Sequence, residues 1–359
     1  MTFYQSKLQA FRAFLDARGY RVRVARAAVP DGLAAPVTVG FPSSVLGEQS
    51  LIAVPDVHLS DGSDGDIFLN GDPENATRLT ATLGAINDYM DSENAQGASA
   101  SVLQLGDWYD VWRAIGRDST QAQFATIDNV PAYQTLLRLD KELGLAHLIG
   151  NHDASFTHAL PDRRVADGDR FRFGFGLVES NGRCFALHGH QVDDILGVPS
   201  PPSDQQLVWL ATLAAKYVTS AARNLEHFLD KEGASVGTVI NWLTAMVGLN
   251  RPDPVPIPRA RKDAPAGFVG SFVERECNEQ LLQIASKACR KLYGSPNELE
   301  LLIVGHSHKP CISWAPHPDS KRPVVIVDAG SWVESAAQLL FGAGDRISVF
   351  DIVKNRARP

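Results

Sequence analysis

The sequence predicts an α/β fold in which short buried strands alternate with helices. Several apolar runs are too short for helices and are bounded by glycine, proline or polar residues, as buried strands are. The segments between them carry helix-start and helix-stop signals, and this alternation is typical of parallel sheets covered by helices. The runs lie at 51–54, 102–105, 146–149, 184–187 and 301–304.

The first fifty residues are predicted to form one helix and several short strands packed on the core. Apolar residues recur at helical spacing from Phe3 to Leu15, and Gly19 is well placed to end the helix. The segment 20–50 is interrupted by prolines, and no function is predicted for it.

The run 51–54 leads to Asp56 and His58, which face the same side of an extended backbone because they are two residues apart. The acidic loop 60–71 is interpreted as an ordinary turn, since the ligand pattern of a calcium loop is incomplete there. A capping residue followed by proline then predicts a helix over 73–90.

The other runs end in the same kinds of residue. A polar linker is predicted at 91–101 and a helix at 131–143. The polar residues after the second to fifth runs are Asp107 and Asp110, then Asn151 and His152, then His188 and His190, and finally His306 and His308.

Four arginines follow the third run, and two interpretations remain open for them. They can belong to a solvated loop, as most arginines do, or grip a phosphate group through their guanidinium forks. They are Arg163, Arg164, Arg170 and Arg172.

A block at 197–296 separates the fourth and fifth runs and is predicted to be a helical insertion. Apolar residues concentrate in 209–218 and 239–249, and prolines concentrate at 252–258. The apolar side chains can pack on each other and on the core, as in most amphipathic helices. Alternatively, they form a lid over the apolar part of a substrate.

Composition limits the classes of protein to consider. The chain has 359 residues, of which 44% are hydrophobic and 21% charged, and a net charge of −7 disfavours binding to extended nucleic acids. Four scattered cysteines without a Cys-x-x-Cys pair predict reduced thiols and a cytoplasmic protein. The sequence shows neither a signal peptide nor an apolar stretch long enough for a membrane span.

The strand-end motifs together predict a metal centre. A hydrogen-bonded core histidine would explain one such position, but the same pattern recurs after five runs. Ligands gather beyond the carboxyl ends of strands in α/β sheets, and mixed nitrogen and oxygen donors suit manganese, iron or zinc. The donors suffice for two ions that share one carboxylate.

In order, the motifs are Asp-x-His, Gly-Asp-x-x-Asp, Gly-Asn-His-Asp, His-Gly-His and Gly-His-Ser-His. Over residues 51–335 they resemble the motif set of the calcineurin-like metallophosphoesterases. The resemblance implies a four-layer α/β/β/α sandwich with the metals at one rim of two sheets. Segments 108–112, 188–193 and 330–335 resemble, more narrowly, the UDP-2,3-diacylglucosamine hydrolase group. His152 stands where the hydrolases of that group usually have arginine, so the substrate stays open.

The resemblance also implies residue roles. His152 would protonate the leaving oxygen, and Asp110 would orient the His152 ring. His190 either supports a metal ligand or is a plain loop residue. One metal would take Asp56, His58, His308 and Asp107, and the other Asp107, Asn151, His188 and His306.

The predicted function is a di-metal hydrolase of phosphoester or pyrophosphate bonds. A metal-bridging hydroxide would attack in line, with a nucleoside-diphosphate sugar or a lipid-linked phosphate as substrate. The alternatives are a binding scaffold that has lost catalysis and a cyclic-nucleotide or general phosphodiesterase. Two divalent ions are expected, with manganese favoured and iron or zinc as alternatives. The expected partner is a small phosphorylated molecule, with or without peripheral lipid contact.

The predicted units are an extension at 1–50, a core at 51–196 and 297–359, and the insertion at 197–296.

Overall fold

The fold is described from a computed structural model of the chain. Most of the predicted insertion, and the candidate lid within it, lies outside the described residues. The described residues are 1–28, 34–62, 66–110, 125–148, 150, 152, 183–189, 279, 281–286, 298–333 and 335–355, with the backbone of 171–172 and 178–179.

The first helix begins where the sequence signals it, whereas the helix predicted from residue 73 begins at Asn75 and the last part of the predicted loop 60–71 is a short helix. Thr2 and Gln5 form a capping box at the start of the first helix, which confirms the N-terminal prediction. The Asp66 carboxylate caps the second helix by accepting a hydrogen bond from Leu69 N at 3.0 Å, so this member of the acidic loop has a structural use. Among the described residues, the helices are α1 Phe3–Asp16, α2 Ile67–Gly71, α3 Asn75–Ala95 and α4 Gln134–Leu143, with further helical stretches at 125–128 and 281–286 and a 3-10 helix at Pro131–Tyr133.

Helix α3 is longer than the sequence indicates, and the prediction of a polar linker over 91–101 is wrong for its first half. Glu93 is buried although it is charged, and its carboxylate accepts a hydrogen bond from Lys7 Nζ at 2.5 Å. This ion pair fixes the last turn of α3 to α1. A polar composition alone therefore did not mark the end of the helix.

The strands form two main sheets. The larger sheet has the order β1-β15-β14-β5-β6-β7-β8 with β4 beside β15, and the smaller has the order β12-β13-β11-β10-β9. The strands are β1 Tyr20–Val24, β2 Arg26–Ala28, β3 Ala34–Pro36, β4 Thr38–Gly40, β5 Gln49–Val54, β6 Ser99–Gln104, β7 Ala146–Leu148, β8 Phe171–Arg172, β9 Val178–Glu179, β10 Cys184–Ala186, β11 Leu301–Val304, β12 Cys311–Pro316, β13 Pro323–Asp328, β14 Gln338–Ala343 and β15 Arg346–Lys354.

Both sheets have a parallel centre. Strands β5, β6 and β7 run parallel in the larger sheet, and β10, β11 and β13 run parallel in the smaller. Parallel strands place their carboxyl ends at one edge, which is where α/β proteins bind ligands. The loops after five of these strands are the ones that carry the predicted motifs.

The core is layered, and the predicted α/β/β/α sandwich is confirmed. Leu51, Leu103, Ile303 and other apolar side chains fill the space between the sheets. A second apolar cluster lies under α1, α3 and α4 on the outer face of the larger sheet. The helical stretch 281–286 covers the outer face of the smaller sheet through its leucines and Ala285.

Two further expectations concern thiols and membranes. Cys184 and Cys311 are free thiols, whereas Cys277 and Cys289 lie outside the described residues. Among the described helices, none has both the length and the apolar character that a membrane crossing requires.

Candidate metal centre

Polar side chains from five loops meet at the rim where the two sheets end. Most of them are buried, and only the two histidines after β11 are partly exposed. The structure therefore brings these residues into one cluster, although Asn151 lies outside the described residues. Asp56 and His58 follow β5, Asp107 and Asp110 follow β6, His152 follows β7, His188 follows β10, and His306 and His308 follow β11.

One group of donors consists of Asp56, His58 and His308. The Nε2 atoms of the two histidines lie 3.1 Å apart, and His308 Nε2 lies 3.3 Å from Asp56 Oδ2. One potential ligand atom from each residue lies within 4.8 Å of the others. This arrangement suits a single cation bound by two imidazoles and a carboxylate.

A second group consists of Asp107, His188 and His306, which also place one ligand atom each within 4.8 Å. Asp107 Oδ2 lies 3.3 Å from His188 Nε2 and 3.6 Å from His58 Nε2, which belongs to the first group. The same carboxylate oxygen therefore stands between the two groups. A shared carboxylate is the arrangement by which two neighbouring ions are held.

The spacing of the donors fits metal coordination. With bonds of about 2.1 Å to nitrogen and oxygen, adjacent ligand atoms of one ion lie about 3.0–3.4 Å apart. The observed separations of 3.1–3.6 Å between donor atoms are close to this range. In addition, Asp56 Oδ1 is buried with no hydrogen-bond partner among the described residues. A buried carboxylate oxygen without a partner is costly, and a bound cation would neutralise it.

The backbone at this cluster is strained in a way that points to function. Among the described residues, five that are not glycine have positive φ, and four of these belong to the cluster: His58 (59°), Asp107 (51°), His306 (73°) and His308 (58°). This conformation costs about 1–3 kcal/mol per residue and persists only where surrounding contacts fix it. One such contact is the bond from His58 N to Asp107 O at 2.8 Å, which ties two of the strained turns together.

Gly150 allows the loop after β7 to approach the shared carboxylate. A Cβ atom at this position would lie 2.0 Å from Asp107 Oδ1. The absence of a side chain lets His152 N donate to the same oxygen at 2.8 Å. Backbone contact thus orients Asp107 so that Oδ2 faces the histidines.

We expect Gly150→Ala to weaken manganese binding by at least about tenfold, because the added methyl group displaces the Asp107 carboxylate. Isothermal titration with Mn²⁺ measures this change. Gly40→Ala is the matched control, since its Cβ would meet no atom closer than 3.8 Å. If both variants bind manganese as wild type does, the close approach at Gly150 has no role in metal binding.

Asp110 lies beneath two of the histidine rings. Its Oδ1 lies 3.1 Å from His152 Nδ1, and its Oδ2 lies 3.4 Å from His58 Nδ1. The His58 and His152 rings meet edge to face with their centroids 4.6 Å apart. One buried carboxylate therefore orients both rings, leaving their Nε2 atoms directed away from it.

The pKa values of the cluster residues are shifted because many ionisable side chains lie close together there. Burial raises the pKa of Asp107, but His188, His152 and His58 together outweigh burial and hold the pKa well below its usual range. Burial lowers the pKa of His188, but Asp107 and Asp56 together raise it well above its usual value. The pKa of His58 is lowered, mainly by burial. The carboxylates thus keep their negative charge and attract positive charge to the space between them.

Other predicted residues are only partly placed. Arg172 lies in β8, the last strand of the larger sheet, and Arg163, Arg164, Arg170 and His190 lie outside the described residues. Sequence reasoning also missed residues that support the cluster, notably Gln104 and His147. The available signal was polarity, because both interrupt otherwise apolar runs.

Comparisons with known proteins give a match to solved structures but do not assign the chain to a family. Neither the known family models nor the curated proteins include a match to this chain. One solved structure with a similar course of the chain is the 5'-nucleotidase from Candida albicans SC5314, at 10% sequence identity and a TM-score of 0.34. The likeness covers 88% of this chain and 53% of the nucleotidase, so the chain spans about half the length of that structure.

Proposed function

We propose that the protein is a di-metal hydrolase of phosphoester or pyrophosphate bonds. The observation that supports this most is the position of Asp107 Oδ2, within 3.6 Å of an imidazole from each of the two donor groups. Two divalent ions bound there would supply positive charge for phosphate oxygens and lower the pKa of bound water.

In this proposal the described residues divide into two ligand sets that share one carboxylate. Manganese is the proposed metal, with iron and zinc as alternatives, since the donors are imidazoles and carboxylates without thiolate. Asn151 is assigned to the second set by its place in the motif. The first set is Asp56, His58, His308 and Asp107, and the second is Asp107, His188, His306 and Asn151.

His152 would deliver a proton to the oxygen of the leaving group. Its Nδ1 faces Asp110, which fixes the orientation of the ring, and its Nε2 would be the atom that gives the proton to the substrate. Asp110 would stabilise the protonated ring, as carboxylates in catalytic triads do. The partly exposed His306 and His308 leave this side of the cluster open to a small molecule.

A finer proposal concerns the substrate. A nucleoside-diphosphate sugar or a lipid-linked phosphate would use a guanidinium from Arg163, Arg164, Arg170 or Arg172 for a second phosphate group. The insertion at 197–296 would then cover the apolar part, because it begins shortly after the loop that follows β10 and carries His188. The competing proposal is a binding scaffold that has lost catalysis. Such a scaffold would be expected to lose metal ligands or the proton donor, whereas His152 and the donors of both groups are present in this chain.

We expect the protein, once reconstituted with Mn²⁺, to cleave phosphate esters, and a substrate panel tests this. The panel sets nucleoside-diphosphate sugars against cyclic nucleotides, bis-p-nitrophenyl phosphate and p-nitrophenyl phosphate, with acylated and deacylated forms of one ester. A preference for the acylated form would support the lid. Protein that binds two ions per chain and cleaves none of these compounds would favour the scaffold.

A further inference from the structure

Gln104 is a buried polar residue at the end of β6, directly before the turn that carries Asp107. Its side chain is 0% exposed. The amide Nε2 donates to Gly106 O at 2.6 Å, and Oε1 accepts a hydrogen bond from Gly106 N at 3.0 Å. Gln104 thus binds both backbone groups of Gly106, as a neighbouring strand would.

The turn needs such support because its backbone is unusual. Gly106 has a φ of 107° and Asp107 a φ of 51°, so two consecutive residues lie in the left-handed region. The turn also packs tightly, since a Cβ atom on Gly106 would lie 2.6 Å from the His188 ring. A shift of this turn would therefore move Asp107 relative to His188.

Gln104 is itself held by a chain of buried polar groups. Its neighbour in the parallel strand β7 is His147, whose Nδ1 lies 3.3 Å from Gln104 Oε1. The other ring nitrogen, Nε2, lies 2.9 Å from Asp140 Oδ1 on α4. The Trp108 ring meets the His147 ring edge to face at 5.1 Å. These contacts join α4 to the Gly106 turn through two side chains.

We propose that Gln104 is a positioning residue that holds Asp107 between the two donor groups, with His147 and Asp140 fixing the Gln104 amide. The proposal rests on the proposed metal function. Leu103 and Leu105 beside it are apolar core residues, and a polar side chain is costly in such a place unless it is fully hydrogen-bonded. If the hydrogen bonds of Gln104 only satisfied buried polar groups, replacing Gln104 would lower the stability of the fold and leave manganese binding unchanged.

The test compares Gln104→Met, which keeps the length of the side chain without its hydrogen bonds, with Tyr89→Phe. Tyr89→Phe removes another buried hydrogen bond, which joins α3 to the same sheet from Tyr89 Oη to Ser50 Oγ at 2.9 Å, and Ser50 lies at the opposite end of β5 from Asp56. Mn²⁺ titration and low-temperature EPR are measured on the full chain. We expect Gln104→Met to weaken manganese binding by about 10–100-fold and to lose the EPR signal of a coupled manganese pair, whereas Tyr89→Phe keeps both.

A second pair of variants decides the case if Gln104→Met does not fold. His147→Leu should reduce manganese affinity in the same direction, and His147→Asn should restore it, because asparagine Nδ2 takes the place of His147 Nδ1 and can still donate to Gln104 Oε1. Wild-type protein without a manganese pair would overturn the proposed function and, with it, this role of Gln104. A wild-type pair that persists unchanged in Gln104→Met, or in His147→Leu when the first variant is unfolded, would overturn the role of Gln104 alone.

Discussion

Asp107→Asn should lower the manganese content from about two ions per chain to fewer than one. The expected loss is large because one oxygen, Asp107 Oδ2, lies near His58 of the first group and His188 of the second. An amide has no negative charge to offset two cations, so both sites lose affinity together. Elemental analysis after reconstitution and gel filtration measures the content, and hydrolysis should disappear in parallel.

Asp66→Asn is the matched control for this prediction. Asp66 is also buried, but its carboxylate accepts from Leu69 N, Gly62 N and Tyr133 Oη, so Asp66→Asn loses buried hydrogen bonds without losing a donor of the metal cluster. The control should retain both ions. An Asp107→Asn protein that also retains both would show that this carboxylate is not shared.

The sequence predicts the fold and the convergence of the motifs for a simple physical reason. Strands in the centre of a parallel sheet are buried on both faces and stand out as apolar runs, and their carboxyl ends share one edge. Strands with other surroundings were missed. In β12, Ile312 and Trp314 are exposed, so the strand lacks an apolar run, and β14 has no polar motif at its end to draw notice.

The supporting contacts of the site are harder to predict than the donors. Nothing in the sequence states that Asp107, His306 and His308 have positive φ, because residues other than glycine adopt it only where tertiary contacts impose it. Likewise, the pairing of Gln104 with His147 depends on the register of β6 and β7. A polar residue inside an apolar run indicates a buried partner without naming it.

His152→Asn should lower kcat by roughly 10²–10⁴, the usual contribution of a positioned proton donor. The ring is buried, and Asp110 Oδ1 lies 3.1 Å from its Nδ1, so its orientation is fixed. The loss should depend on the leaving group. An alkyl phosphate ester needs its leaving oxygen protonated, whereas p-nitrophenolate leaves readily without a proton. The reduction in kcat should therefore be much smaller for the p-nitrophenyl ester.

Two measurements separate this role of His152 from others. Manganese content should match wild type, which distinguishes loss of a proton donor from loss of a ligand. His317→Asn is the matched control, because His317 is equally buried but its Nδ1 accepts from Asp319 N at 3.1 Å in the connection between β12 and β13. An asparagine oxygen can accept the same bond, so kcat should stay at the wild-type value for both esters. If His152→Asn instead reduces kcat equally for alkyl and p-nitrophenyl leaving groups, the ring binds the substrate and does not protonate it.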